Sequence, residues 1–229
     1  MGINTVQTID DLVTVNTVLV SVFDKTGLDV FIPGLVAVNP RVRIISTGAT
    51  YAAVAKILGT GSAAALQQVA DYTGQPEMQG GLVKTLDFKI YLGLLSETYN
   101  AAHADDLRRT GAATIDMVVS NLYPFAAAVA AADATPETAR GNIDIGGPCM
   151  VRAAAKNFHR VAAVTDSSDY AGVVQALKAG GGALALPMRF ALAQKAFRMI
   201  ASYDSAISAY LDKQSVEEVR RCYAMENPA

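Results

Sequence analysis

Short runs of apolar, mainly β-branched residues recur along the chain, and each leads into a polar turn and then a helix-forming segment. Runs of this length are typical of buried strands, and their alternation with helices is typical of a parallel sheet covered on both faces. The pattern therefore predicts an α/β fold. The predicted strands are Thr17–Phe23, Val42–Ile45, Ile115–Ser120 and Arg160–Thr165, with Leu66–Ala70 as a candidate for one more.

The helical segments predict how this sheet is covered and where it ends. Leu28, Phe31, Ile32 and Leu35 share one face of the first helix, and Pro33 is expected to kink that helix or delay its start. A long helical stretch over Pro187–Leu211, interrupted near Ser202, predicts a mostly helical C-terminal subdomain. We expect an N-terminal arm (residues 1–16), one domain (17–212) and a C-terminal tail (213–229).

Small polar residues follow several of the predicted strands. Ser46-Thr47-Gly48-Ala49-Thr50 joins a strand to a helix, an arrangement that can hold a phosphate on backbone amides and hydroxyls. Asn121 and Tyr123 follow another strand. Because open α/β sheets bind ligands at the carboxyl ends of their strands, these segments are expected to meet at one site.

The segment Asn142–Asn157 places an acid, two glycines and a proline before a helix-forming run. Gly146 and Gly147 would let a ligand approach the backbone, and Asp144 precedes them. Free N–H groups at the helix start would favour an acceptor or anion. Lys156 lies about two turns further on. Taken alone, the segment is equally consistent with a tight turn and a capped helix.

Five segments in this order resemble the IMP cyclohydrolase domain, the N-terminal half of the bifunctional enzyme that formylates and then closes the purine ring. The resemblance covers about Val18–Leu211 and includes the tail Ala196–Leu211. The segments are Ser21–Gly27 (SVFDKTG), Ser46–Thr50 (STGAT), Asp71–Leu86 (DYTGQPEMQGGLVKTL), Ser120–Phe125 (SNLYPF) and Asn142–Asn157.

This resemblance implies a methylglyoxal-synthase-like fold and a set of site residues. Lys84 is the candidate for stabilising the formyl oxyanion, Tyr123 and Asp144 for handling protons, and Lys156 for polarising the reacting groups. Asn121 would orient the carboxamide. The other implied contacts to the nucleotide come from Ser21, Lys25, Ser46, Thr47, Gly48, Thr50, Thr85, Gly146 and Gly147.

The chain departs from the family's pattern at several positions. Ala49 replaces a glycine, Leu82 an arginine and Asp87 a histidine, and Tyr91-Leu92-Gly93 stands where the family has a second histidine followed by glycines. The two histidines of this chain, His103 and His159, lie outside the family's motifs. These changes bear on one cationic contact and on any histidine-based proton relay, and the other expected site residues are present.

Composition limits the partners and cofactors. With 19 basic and 21 acidic residues, the net charge of −2 argues against general nucleic-acid or membrane-surface binding. Cys149 and Cys222 suggest reduced thiols in a cytoplasmic protein, and no stretch approaches a membrane span. We expect no metal and no cofactor, a phosphorylated purine-nucleotide substrate, a homodimer, and a separate formyltransferase that supplies the substrate.

Two other functions share the expected fold. A methylglyoxal-synthase-type lyase would use the phosphate loop but would need an aspartate and a histidine near the phosphate. A nucleotide-sensing module, like the regulatory domain of carbamoyl-phosphate synthetase, would need the phosphate loop but not Lys84, Tyr123, Asp144 and Lys156 together.

Overall fold

A computed structural model describes residues 5–75 and 85–226 of the chain. Its strands are β1 (Leu12–Thr14), β2 (Thr17–Val20), β3 (Arg43–Ser46), β4 (Leu66–Gln68), β5 (Met117–Val119), β6 (Ala162–Val164) and β7 (Ala183–Ala185). Its helices are α1 (Leu28–Val38), α2 (Gly48–Leu58), α3 (Ser62–Ala65), α4 (Val69–Thr73), α5 (Phe88–Leu95), α6 (Ala101–Thr110), α7 (Phe125–Val129), α8 (Pro136–Gly141), α9 (Gly146–Lys156), α10 (Tyr170–Ala179), α11 (Leu186–Leu211) and α12 (Val216–Arg220).

The central sheet has the strand order β4-β3-β2-β5-β6, and every neighbouring pair is parallel. This confirms the predicted α/β fold and its parallel sheet. Most strands are shorter than the runs that predicted them: β2, for example, ends at Val20 and not at Phe23. The strand β3 has the predicted length but is shifted by one residue, to Arg43–Ser46.

Successive side chains of the strands pack alternately into two hydrophobic cores, one on each face of the sheet. In β2, Val18 and Val20 pack in the core beneath α1 and α10, whereas Leu19 packs in the core beneath α5, α9 and α11. This alternation follows from the two-residue period of a strand. Helices therefore cover both faces of the sheet, as the continuous apolar runs predicted.

Helix α1 buries the four apolar residues expected on its inner face. It begins at Leu28 and runs through Pro33, so the proline does not delay its start. Pro33 and Asp29 are both exposed, and the Asp29 carbonyl that loses a hydrogen bond to the proline can be hydrated.

The C-terminal helical region is continuous where a break was expected. Helix α11 runs unbroken from Leu186 to Leu211, and the exposed Ser202 does not interrupt it. The helix contributes to both hydrophobic cores. Leu192 packs in the core beneath α1 and α10, and Ala193 and Ile200 pack in the core beneath α5 and α9.

The N-terminal segment contains a strand that the sequence did not predict. Leu12–Thr14 pairs antiparallel with Ala183–Ala185, and both strands have only three residues. Gly181 and Gly182 adopt positive φ just before β7. Within the described residues, no helix is both long and apolar enough to cross a membrane.

Candidate active site

A cavity of about 270 Å³ lies at the carboxyl edge of the central sheet. Ser21, Thr47 and Asn121 reach it from just beyond β2, β3 and β5. This is the edge at which parallel α/β sheets bind ligands. The predicted site residues that line the cavity are Ser21, Lys25, Thr47, Gly48, Thr50, Thr85, Asn121, Tyr123, Asp144, Gly146 and Gly147.

The start of α2 forms one side of the cavity. Thr47 is the N-cap, yet its side chain does not cap the helix. Instead its hydroxyl lies 2.9 Å from the Ser21 hydroxyl. The first-turn N–H groups of α2, an 11-residue helix, consequently face the cavity region without a side-chain acceptor. Such a terminus favours an anion such as phosphate.

Thr50 and Ser46 are tied to the backbone of β2 and the residues after it. The Thr50 hydroxyl donates to the Val22 carbonyl at 2.9 Å and accepts from the Val22 N–H at 3.2 Å. The Ser46 hydroxyl donates to the Val20 carbonyl, and Ser46 is fully buried outside the cavity lining. Ser46 is therefore not among the described residues that line the cavity, and its contact to the nucleotide stays a prediction.

Asn121 holds the loop between β2 and α1. Its amide oxygen accepts from the N–H groups of Phe23 and Asp24, at 2.7 and 2.9 Å, and its amide nitrogen donates to the Asp24 carbonyl at 2.8 Å. Lys25 lies in the same loop, and its amine donates to the Val22 and Phe23 carbonyls. Most of the hydrogen-bonding capacity of Asn121 is thus used to shape the loop that carries Lys25.

Asp144 lies on the opposite side, immediately before α9. One carboxylate oxygen accepts from the Gly147 N–H at 2.9 Å. Partial burial raises the pKa of Asp144, and hydrogen bonds from the N–H groups of Gly147 and Tyr123 oppose that rise. The carboxylate is therefore more basic than an ordinary aspartate, which suits it to accept a proton.

The glycine pair is required by close approaches. A Cβ on Gly147 would lie 2.5 Å from an Asp144 carboxylate oxygen and 2.6 Å from the Leu122 side chain. A Cβ on Gly146 would lie 2.6 Å from the Thr85 hydroxyl oxygen. Any larger residue would displace Asp144 or Thr85.

Tyr123 forms part of the cavity rim and is half exposed. Its ring packs at a tilt against Phe23, with 5.1 Å between ring centroids. An exposed tyrosine hydroxyl at a cavity mouth can exchange protons with a bound molecule and with solvent.

Of the two predicted catalytic lysines, Lys156 does not line the cavity and Lys84 lies outside the described residues. Lys156 is the last, exposed residue of α9, whereas the cavity lies at the first residues of that helix. At 1.5 Å per residue, about 15 Å separates the two ends. Lys84, like Leu82, lies outside the described residues, and its neighbour Thr85 lines the cavity.

The remaining departures from the family pattern have identifiable surroundings. Asp87 is the N-cap of α5, with its carboxylate accepting from the Lys89 N–H at 2.8 Å. Ala49 lines the cavity, whereas neither His103 nor His159 is among its lining residues. Within residues 5–75 and 85–226, no group of three or more His, Cys, Asp or Glu side chains could hold a metal ion.

One contact to this site was not predicted from the sequence. The Tyr203 hydroxyl, on α11, accepts from the Asp144 backbone N–H at 2.8 Å. The two residues are 59 positions apart, and no local motif signals the pairing.

Comparison with known proteins assigns the fold that carries this site. The family model for the MGS-like domain matches residues 30–149, more than half of the chain, and this range includes most of the cavity lining. The chain belongs to the MGS-like domain family. This confirms the methylglyoxal-synthase-like fold expected from the resemblance.

The C-terminal part of this MGS-like protein matches a second family model. Residues 154–227 match the model described as AICARFT/IMPCHase bienzyme. The crystal structure of ForH is also similar, with a TM-score of 0.70 and 30% sequence identity over 85% of this chain and 98% of that one.

Curated relatives are named bifunctional purine biosynthesis protein PurH. The protein from Chlorobium phaeovibrioides is 46% identical over 207 residues, and the one from Neisseria meningitidis is 45% identical over 202 residues. These alignments cover 90% and 88% of this chain but only 38% and 37% of the relatives. The chain therefore spans less than half the length of the curated relatives it matches, and the resemblance drawn from the sequence segments is confirmed.

Proposed function

We propose that the chain is an IMP cyclohydrolase of purine biosynthesis. In this reaction the carboxamide nitrogen of 5-formamidoimidazole-4-carboxamide ribonucleotide attacks the formyl carbon, and water leaves as the ring closes to give IMP. One observation carries the proposal: a single cavity combines the open N-terminus of α2 with the half-buried Asp144 and with Tyr123. The match to the AICARFT/IMPCHase bienzyme model and the PurH relatives support the same reaction, and the MGS-like match supports the fold.

The phosphate of the nucleotide would bind at the start of α2. The free N–H groups there, the hydroxyls of Ser21 and Thr47, and Lys25 supply donors of the kind that bind phosphate. Asn121 contributes indirectly by holding the loop with Lys25. We therefore assign Asn121 to this loop and no longer to orienting the carboxamide.

The imidazole would then extend toward Asp144. As the ring closes, the carboxamide nitrogen must lose one proton and the formamide nitrogen another, and the former formyl oxygen must gain two before it leaves as water. The Asp144 carboxylate is suited to accept the first proton, and the Tyr123 hydroxyl can return one to the oxygen. Neither step requires an oxidant or a reductant.

The oxyanion that forms on the formyl oxygen requires a donor. We assign this role to Lys84, on the resemblance and on the position of its neighbour Thr85 in the cavity wall. Lys156 receives no step, because the length of α9 separates it from the cavity.

The lyase alternative has less support. A methylglyoxal-synthase-type reaction was expected to need a histidine near the phosphate, and none of the described residues that line the cavity is a histidine. A thermal-shift panel separates the lyase from the two nucleotide-binding candidates, and turnover then separates the cyclohydrolase from the sensing module. We expect stabilisation by IMP and by the unformylated precursor nucleotide, and none by dihydroxyacetone phosphate.

The proposed reaction implies partners. A formyltransferase must supply the formylated nucleotide, and the bifunctional naming of the relatives supports such a partner. We also propose that the chain forms a homodimer, because Phe190 and Phe197 of α11 are 45% and 40% exposed and offer an apolar face. We propose a cytoplasmic location as well, as the sequence predicted. A sedimentation measurement showing a fully active monomer at micromolar concentration would contradict the dimer.

The direct test is ultraviolet detection of IMP after the purified chain is mixed with the formylated nucleotide. We expect turnover that is insensitive to EDTA. Absence of IMP formation would overturn the cyclohydrolase assignment, and binding of IMP without turnover would make the sensing function the next to test.

A further inference from the structure

The loop that carries Asp144 is held from outside the cavity. This loop, residues 142–145, joins α8 to α9. The Tyr203 hydroxyl accepts from the Asp144 N–H at 2.8 Å and donates to the Asn142 carbonyl at 3.3 Å. One hydroxyl therefore bridges the amide of one loop residue and the carbonyl of another.

The Tyr203 ring is itself fixed by packing. It lies edge-on against Phe125, with 6.3 Å between centroids and 70° between planes, and Phe125 is only 2% exposed. Tyr203 belongs to α11, which packs against both α9 and β6. The Tyr203 hydroxyl thus holds the 142–145 loop in a fixed position relative to α11.

Asp144 is consequently fixed through both its side chain and its backbone. Its carboxylate accepts from the N–H groups of Gly147 and Tyr123, and its backbone N–H donates to Tyr203. Without the Tyr203 contact, the backbone of the loop would keep only local bonds, such as that from the Ile143 N–H to the Arg140 carbonyl at 3.2 Å. A carboxylate that must meet a particular proton gains from such fixing, because small displacements of reacting groups lower rates strongly.

The two family matches meet at this contact. Asp144 lies in the segment that matches the MGS-like domain, and Tyr203 lies in the segment that matches the AICARFT/IMPCHase bienzyme. A residue outside the MGS-like match therefore holds the loop with the proposed proton acceptor.

We propose that Tyr203 is a positioning residue for the ring-closing reaction, holding the 142–145 loop so that the Asp144 carboxylate faces the substrate. This inference rests on the proposed function. Tyr203 is not among the residues that line the cavity, so it acts through the loop and not on the substrate.

Tyr210 provides a matched control. It lies two turns further along α11, and its ring also meets Phe125 edge-on, at 5.8 Å and 88°. Among the described residues, its hydroxyl makes no hydrogen bond like that of Tyr203 to the loop. Tyr203→Phe and Tyr210→Phe each remove one oxygen from the same helix, and only the first removes the bridge.

The test compares kcat, KM, unfolding midpoint and amide hydrogen exchange in the wild type and the two variants. For Tyr203→Phe we expect kcat to fall at least tenfold, KM to stay within threefold, and exchange at residues 142–145 to accelerate. For Tyr210→Phe we expect changes of less than twofold. Equal kcat and equal loop exchange in the two variants would overturn the proposal.

Two further outcomes are decisive. If Tyr203→Phe speeds exchange throughout α9 and lowers the unfolding midpoint in proportion, the hydroxyl serves stability alone and the positioning role is wrong. If the wild type forms no IMP, the proposed function fails. The exchange comparison then still decides whether the hydroxyl holds the loop.

Discussion

The amino and carboxyl edges of the central sheet differ in how their polar groups are used. At the amino edge, Arg160 and Arg189 are 4% and 1% exposed, and their guanidinium groups bind backbone carbonyls on several elements. At the carboxyl edge, a helix terminus, a raised-pKa carboxylate and a half-exposed tyrosine surround a cavity. At the amino edge the polar groups bind other parts of the chain, whereas at the carboxyl edge they remain available to a ligand.

The Arg160 guanidinium illustrates how the polar groups at the amino edge are paired with hydrogen-bond partners. Its guanidinium donates to the carbonyls of Ser96, Ile115, Gly93 and Leu94 and forms an ion pair with Asp116 at 3.2 Å. Asp116 also accepts from the N–H groups of Asn16 and Thr17. Burial raises the pKa of Asp116, and the N–H groups of Thr17 and Asn16 and the charge of Arg160 oppose that rise.

The largest expected effect follows from breaking that pair. Arg160→Met should lower the free energy of unfolding by about 3–5 kcal/mol, because it leaves the Asp116 charge and several carbonyls buried without partners. Urea unfolding measures the change. Arg108→Met is the control, since Arg108 pairs with Asp105 at the surface and its loss should cost less than about 1 kcal/mol. Equal losses in the two variants would contradict the contrast between buried and surface pairs.

At the carboxyl edge, a single added methyl group should affect rate more than stability. Gly147→Ala places a Cβ against the Asp144 carboxylate and should lower kcat by about 100-fold, the order expected when a reacting group shifts by about 1 Å. Gly141→Ala is the control: Gly141 lines the same cavity, but a Cβ added there would meet no atom within 4 Å. Steady-state kinetics of both variants test the close approach, which is wrong if the two alanine variants have the same kcat.

A smaller effect is expected where the chain departs from its family near the site. Asp87→His removes the N-cap of α5 and should lower the free energy of unfolding by about 1 kcal/mol while leaving kcat unchanged or raised. Asp87→Asn keeps a capping side chain and should retain most of the stability. Thermal unfolding and kcat together decide between a capping role and a role in the reaction.

The sequence predicted those parts of the molecule whose causes are local. The apolar run at Thr17–Phe23 predicted β2, and the spacing of Leu28, Phe31, Ile32 and Leu35 predicted the buried face of α1. The pair β1–β7 was missed because three-residue strands carry too little pattern. Pairing between Leu12–Thr14 and a segment about 170 residues away is decided by tertiary packing.

The site follows the same division. The segments near Gly48 and Tyr123 follow predicted parallel strands, whose carboxyl ends meet at one edge, whereas Asp144 was placed at the site by the family resemblance. The roles of individual atoms could not be predicted: Asn121 binds loop backbone, and Tyr203 reaches the Asp144 loop from a distant helix. Lys156 illustrates the converse, since its place in a family-like segment did not bring it to the cavity.

Asp144 tests the contrast between the two edges most directly. Its raised pKa means that its charge is disfavoured in the folded state, so its contribution to stability is present below its unfolded pKa and is lost as pH rises through the folded value. Asn at this position keeps an oxygen for the Gly147 N–H and removes the charge. The fold should therefore tolerate the change.

The decisive measurement is the rate of IMP formation by Asp144→Asn, taken with its unfolding free energy across pH. We expect kcat to fall by at least 100-fold, while stability at neutral pH equals or exceeds that of the wild type. The wild-type rate should fall on acidification at a pH above the ordinary aspartate pKa of about 3.9. An Asp144→Asn variant that forms IMP at the wild-type rate would contradict the assignment of the carboxyl-edge cavity as the site of ring closure.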